Sequence, residues 1–272
     1  MESSLNNILV ILCAVSTIAL VAGRTRSKRP SKDNQPPVLA VEENVYRLSS
    51  SKDKLVDRPV IPRLNDNELT LLNMFHYNTK TYANRPCLGW RDITNIHTVR
   101  RDGKNLQLYE LTDYRWMTFG EMGNYVTRIG NALLRLGIRP GEKILFYSKT
   151  SYEWQLMAQA CFCQNIVVAT AYDSMDCASV EHILKQTKAV AIFTDVGLLK
   201  TTNQILQKRP ALRAVIYSGY EVEDPSGLKE LKEEAHGSYE VVSVEELRKE
   251  DVDEHEAARA PTPQDIACIM YT

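Results

Sequence analysis

From residue 143 onward the chain alternates short apolar runs with amphipathic stretches. The runs are "KILFYS" at 143–148, "NIVVATAY" at 165–172, "AVAIFTD" at 189–195, "RAVIYSG" at 213–219, "YEVVSV" at 239–244 and the closing "DIACIMYT" at 265–272. They are short, rich in Val and Ile and nearly continuously apolar, as strands covered by helices on both faces are. Between them the spacing predicts helices from Ser151, around 178–187, up to about Lys208, around 226–236, and a short one through Glu246. Strands alternating with helices predict a mostly parallel α/β sheet. No fixed-period repeat is present.

Ahead of this region the pattern changes. "NDNELTLLNMFHYNTKTYAN" opens on a capping residue, Asn65, and carries Leu69, Leu72, Met74 and Phe75, which predicts a helix. Strand-like runs follow at 86–93 and 106–116. Thr118 and Glu121 have capping-box spacing and open a helix to about Leu136, with Val126, Ile129, Leu133 and Leu136 as its apolar stripe. Gly137 stands where a helix ends in the left-handed conformation.

The first 65 residues belong to neither pattern. Residues 5–23, "LNNILVILCAVSTIALVAG", form an uncharged run near the lower length limit for a membrane span. Arg24, Arg26, Lys28, Arg29 and Lys32 come directly after it, and Glu2 precedes it. A cleaved signal peptide has its basic residues in front. By the positive-inside tendency the basic cluster stays cytosolic, so residues 1–23 read as an uncleaved anchor helix with a cytosolic body behind it. A monotopic hairpin or interfacial helix is the alternative. Residues 24–65 read as a basic, Pro-containing linker, and the body runs over 66–272. The basic residues favour anionic lipids, so membrane lipid is an expected partner.

Composition narrows the function classes. A net charge of -1 argues against a general nucleic-acid binder. The acidic stretch 221–256 reads as a solvated helical surface with loops. Six cysteines lack the C-x-x-C spacing of zinc or redox sites and read as buried or half-buried thiols. The five histidines are dispersed, His182 reads as a surface or packing residue, and no metal site is expected. Trp90, Trp116 and Trp154 sit among apolar residues and read as core. There is no G-x-x-x-x-G-K-[ST] loop, no G-x-G-x-x-G and no G-x-S-x-G elbow. In open α/β sheets ligands bind beyond the C-terminal ends of the strands. The last strand here reaches that end at Thr272.

Five segments then carry a resemblance: "RPCLGWRD", "DYRWMTFGEM", "GNALLRLGIRPGEKILFYSKTSYEWQLMAQAC", "VVATAYDSM" and "DIACIMYT". In their order and spacing over about 65–272 the chain resembles AMP-forming long-chain fatty-acid–CoA ligases, most of all their fungal branch. The resemblance implies an adenylate-forming ligase fold, here an N-terminal membrane helix followed by the first part of the large AMP-binding domain. In that family a Tyr-Thr pair opens a Ser/Thr/Gly-rich phosphate loop. Tyr271 and Thr272 match its first two positions, so Thr272 is the residue carried over as a nucleotide contact. No catalytic residue is carried over. Where many relatives read Tyr-Asp-Thr-Leu-Gly, this chain has Tyr172, Asp173, Ser174, Met175 and Asp176, which puts any role of that loop in doubt.

The implied reaction joins a fatty acid to CoA. Its carboxylate attacks the α-phosphate of ATP, releasing pyrophosphate, and the CoA thiolate then displaces AMP. ATP, Mg²⁺ and CoA are the family's substrates and cofactors; none is expected to bind tightly to these 272 residues. The implied location is the cytosolic face of the endoplasmic reticulum, with lipid droplet and peroxisome as alternatives. Two readings of the chain stand. It is a ligase sequence cut within its ATP-binding motif and inactive alone, or it is a non-catalytic, membrane-tethered module that oligomerises with a full-length relative.

Overall fold

The computed structural model describes residues 38–42, 45–51, 54–55, 69–101, 103–207, 211–219, 226–249 and 260–271. The chain divides into two compact units, essentially Ser4–Glu68 and Leu69–Thr272. In the first, β1 (Val38–Glu42), β2 (Val45–Ser51) and β3 (Lys54–Leu55) pair antiparallel in that order. This sheet lies within the stretch that the sequence reads as a linker. Among the described residues no helix is long and apolar enough to cross a membrane. The apolar run 5–23, where the anchor is expected, lies outside the described residues.

The second unit opens with α1 (Leu71–Thr81). The expected cap, Asn65, lies outside the described residues. Thr70 caps α1 instead, its hydroxyl accepting the Asn73 N–H at 3.1 Å. Next come β4 (Pro86–Trp90), β5 (Ile93–Arg101), β6 (Lys104–Leu111) and β7 (Arg115–Thr118). Here the structure corrects the expectation of two strands. The run 106–116 breaks after Leu111, and residues 94–101 are a strand that polar composition had hidden. β4 pairs antiparallel with β7, and β5–β6 is a hairpin inserted between them.

α2 (Phe119–Arg135) starts at the expected box: Thr118 and Glu121 satisfy each other's backbone N–H groups. Its stripe residues Val126, Ile129 and Leu133 are fully buried. Gly137 has φ +81°, and the N–H of Ile138 closes back on the Leu133 carbonyl at 3.1 Å. That conformation favours a residue without a Cβ.

The remaining elements alternate as expected: β8 (Lys143–Tyr147), α3 (Tyr152–Cys163), β9 (Val167–Ala171), α4 (Cys177–Thr187), β10 (Ala191–Asp195), α5 (Leu199–Leu206), β11 (Ala214–Ser218), α6 (Ser226–Ala235), β12 (Glu240–Ser243), α7 (Val244–Leu247) and β13 (Cys268–Met270). The six strands form one sheet in the order β12-β11-β10-β8-β9-β13. Every pairing in it is parallel. Alternate residues serve opposite faces. Ile144, Phe146 and Phe193 pack on the layer containing α2, α3 and α7. Leu145, Tyr147 and Ile192 pack on the layer containing α4, α5 and α6. The sheet is therefore buried on both sides, which is why its strands read as continuous apolar runs. Each fully buried aliphatic or aromatic side chain contributes roughly 1.5–3 kcal/mol.

Candidate functional site

The C-terminal ends of the parallel strands define the place where a ligand crevice can form. β8 passes the chain to β9 on one side, whereas β10 passes it to β11 on the other. The loops above β8 and β10 therefore part, which is the arrangement that opens a crevice in α/β sheets. Asp195 stands in this gap. Its Oδ2 accepts the backbone N–H of Lys149 at 2.9 Å, and its Oδ1 accepts that of Gly197 at 2.9 Å. A Cβ on residue 197 would stand 3.0 Å from Oδ1, so glycine lets the carboxylate tuck in. One side chain thus locks the β8 loop to the β10 loop. Sequence reading overlooked Asp195, although an acid followed two residues later by glycine at a strand end is a turn-capping signal.

On the other side of β8, the loop 172–176 is fastened from below. Tyr147 Oη donates to the Met175 carbonyl at 3.1 Å. Burial, then the nearby Cys177 and acidic groups, raise the Tyr147 pKa, so the phenol remains a donor. Asp176 caps α4, its Oδ1 accepting the Ser179 N–H at 2.8 Å, and this bond lowers its pKa. The loop whose role was in doubt is thus a capped turn, with Tyr172 left exposed.

β13 lies against β9, with Cys268 opposite Val168 and Met270 opposite Thr170. Tyr271 packs on the layer of α4 to α6, and its hydroxyl donates to Gln186 Oε1 at 2.8 Å. It is a packing residue. Thr272, the one expected nucleotide contact, lies outside the described residues.

Glu153, in the first turn of α3, also escaped the sequence reading. Burial raises its carboxyl above the usual range, while the Gly219 N–H and Arg248 oppose that rise. An acid inside "SYEWQLMAQAC" was the available signal. Its partners belong to the β11 end and to the segment after α7, so it ties α3 to that corner of the sheet.

The other candidates fall out simply. Among the described residues no three His, Cys, Asp or Glu side chains could jointly hold a metal ion. Cys87, Cys161, Cys163, Cys177 and Cys268 are free thiols, buried or half-buried as expected. Burial pushes Cys87 and Cys163 up to about 12 and Cys161 higher still, so none of these three is a nucleophile near neutrality. Cys13 lies outside the described residues. Trp90 stacks on Tyr152 at 4.4 Å and Trp154 meets Phe146 edge-on at 5.4 Å, as core residues do. Trp116 departs from that expectation: it is 53% exposed, because its strand partner is Gly89 and its ring lies over that glycine. His182 is on the surface, as expected. A shallow cleft of about 190 Å³ between Leu71, Phe162, Asn165, Pro261 and Ile266 sits at the opposite, N-terminal end of β9 and β13.

The comparisons with known proteins agree with this architecture. The chain is 27% identical over 244 residues to long-chain-fatty-acid–CoA ligase 1 of Schizosaccharomyces pombe, a match covering 85% of this chain and 34% of that protein. It is 30% identical over 252 residues to long-chain-fatty-acid–CoA ligase 4 of Saccharomyces cerevisiae, covering 80% of this chain and 35% of that protein. The chain thus spans about a third of the length of these curated relatives. Among solved structures, the A-PCP didomain of carboxylic acid reductase from Segniliparus rugosus, in complex with AMP, superposes with a TM-score of 0.62 at 15% identity over 75% of this chain and 30% of that one. An anthranilate CoA ligase in complex with anthranoyl-AMP gives a TM-score of 0.54 at 18% identity over 77% of this chain and 32% of that one. These establish the adenylate-forming ligase fold. A family model for AMP-binding enzymes matches residues 96–272, the stretch that builds the whole parallel sheet, and the chain belongs to that family.

Proposed function

We propose that this sequence belongs to a long-chain fatty-acid–CoA ligase, an enzyme that activates a fatty acid through acyl-AMP. The observation carrying this reading is the similarity to yeast ligases that act on long-chain fatty acids, running over 80–85% of the chain. The described residues contribute scaffold. The sheet brings the ends of β8, β9, β10 and β13 to one rim, and Asp195 and Tyr147 fix the loops there. Among the described residues that rim has no cluster of His, Cys, Asp and Glu that could hold a metal ion. No chemical step is therefore assigned to these residues, and Thr272 remains the proposed nucleotide contact.

The 272 residues by themselves form no acyl-CoA on this reading, since catalysis of this kind needs donors preorganised around the phosphates. The test has two arms. Residues 69–271 are exchanged into the aligned segment of the S. cerevisiae ligase, and palmitate-dependent pyrophosphate release is measured for that chimera and for the 272-residue chain. Activity in the chimera with none in the chain is expected. A chimera that melts cooperatively yet turns over benzoate and not palmitate, or pyrophosphate release by the chain alone, would overturn the reading. We further propose a membrane-anchored protein facing the cytosol at the endoplasmic reticulum, on the strength of the run 5–23 and the basic residues after it.

A second reading draws on the two core layers, which close within residues 69–271. A body with such cores is suited to act as a membrane-tethered module that pairs with a full-length relative. Co-purification of the intact chain with such a relative from detergent-solubilised membranes is the expected result, and separate elution counts against it.

A further inference from the structure

The β5–β6 hairpin is unlike the rest of the body. All seventeen residues of its two strands are exposed. Among them are six large aliphatic residues and Tyr109, and the flanking Tyr114 and Trp116 are exposed as well. An isolated two-stranded ribbon is marginal in water and becomes stable when a face is covered. Exposed apolar groups on this scale mark a contact surface.

The register separates two faces. Val99 stands opposite Leu106, His97 opposite Leu108 and Arg101 opposite Lys104, so these six share one side. At the base of this face Glu110 meets His97 at 3.3 Å. Its middle is aliphatic, with Leu108 53% exposed, and its tip carries two cations. Arg100, opposite Asn105, belongs to the other face. The exposed ring of Trp116, stacked on Tyr114 at 5.9 Å, follows the hairpin in the chain. Aliphatic centre, basic end and exposed Trp and Tyr are the ingredients of a surface that sits at headgroup depth. Among the described residues its outer strand edges are unpaired, and they keep it there, because water and headgroups can satisfy their backbone groups and the hydrocarbon core cannot.

We infer that the β5–β6 hairpin lies on an anionic lipid surface, with the face of Val99, Leu106 and Leu108 at the acyl boundary and Arg101 and Lys104 among the lipid phosphates. A second copy of this chain is the competing occupant. It fits less well, since two such tips brought together would oppose like charges. The inference uses the proposed membrane location only to explain how a bilayer comes within reach. It adds that the folded body itself touches lipid.

The experiment uses the full chain reconstituted with vesicles. Leu108→Trp supplies a reporter at an exposed position, and its signal is the difference from wild type. Vesicles are phosphatidylcholine with or without 30% phosphatidylserine, carrying brominated acyl chains. Co-flotation reports the anchor; quenching reports the hairpin. Quenching of the Leu108→Trp signal by at least about twofold on anionic vesicles is expected. It should fall with added salt, as screening requires, and in the R101E/K104E background. Chains that float without quenching overturn the inference while leaving the anchor intact, and chains that do not float overturn both. Val99→Cys chains that cross-link to one another on vesicles, with the Leu108→Trp signal unquenched, assign the face to a second copy.

Discussion

Glu142 and Arg213 form a two-armed ion pair between the turn before β8 and the start of β11. Arg213 Nη2 donates to Glu142 Oε1 at 2.8 Å, and Nη1 donates to Oε2. The Arg139 backbone N–H reaches the same Oε2 at 2.7 Å. These bonds, the one from Arg213 foremost, hold the Glu142 carboxyl below its ordinary pKa, against a smaller opposing effect of burial.

Replacing that carboxylate gives the first prediction. Arg213 is more than a third exposed, so solvent screens the pair and limits it to about 0.5–1 kcal/mol. Glu142→Gln should lower Tm by about 1–4 °C at pH 7. A group with a depressed folded pKa stabilises fully above its unfolded value and loses that contribution as pH falls through the folded one. The difference between wild type and Glu142→Gln should therefore shrink from near the ordinary value of 4.5 downward. Melts from pH 7 to pH 3 check this, and a constant difference would contradict the assignment.

Asp195 braces the two loops above the switch point. Asp195→Ala removes the cap of the 3₁₀ turn Val196–Leu198 and leaves the Lys149 and Gly197 N–H groups to water. A cost of about 1 kcal/mol is expected, with faster hydrogen exchange at those two amides and unchanged exchange at Val168. Exchange unaltered at Lys149 would mean that the loops are held by something else.

Phe193 is fully buried and meets Phe146 with ring centroids 4.9 Å apart. Phe193→Ala should cost about 3–5 kcal/mol, a large share of a domain's total of roughly 5–15 kcal/mol. Urea unfolding measures it, with Leu199→Ala as a matched site in the opposite layer.

β13 pairs with β9, and among the described residues its outer edge has no partner. Met270 is 70% exposed and Ile266 is also exposed. Unpaired apolar edges recruit other strands. Residues 65–272 made alone are expected to self-associate, and Ile266→Lys with Met270→Lys should reduce that without lowering Tm. Sedimentation velocity decides; equal association in the double variant would locate the sticky surface elsewhere.

The expected anchor makes the last prediction. The intact protein should pellet with membranes and resist carbonate extraction, and removing residues 1–29 should abolish the carbonate resistance. Recovery of the intact chain in a high-salt supernatant would rule the anchor out.

Much of the fold is written locally. Thr118 and Glu121 cap α2 because a hydroxyl and a carboxylate three residues apart can reach each other's backbone N–H groups. Gly137 ends the same helix because it takes a positive φ without steric cost. The apolar runs of β8, β10 and β11 mark two-sided burial. Such signals depend on neighbours within a few residues, and the sequence contains them outright. The same holds for the family resemblance, which rests on the order of short segments.

Tertiary structure decided what depends on distant partners. No local pattern says that β13 sits beside β9 while β12 takes the opposite edge, because parallel pairing joins strands through crossovers and a continuous apolar run suits any neighbour equally. The hairpin between β4 and β7 was hidden for a related reason: with neither face buried, β5 has no apolar run to announce it. Trp116 reads as core by its neighbours in sequence and is exposed because it pairs with Gly89. Asp195 becomes a brace, and Tyr271 a packing residue against Gln186, only once their partners 46 and 85 residues away are brought alongside.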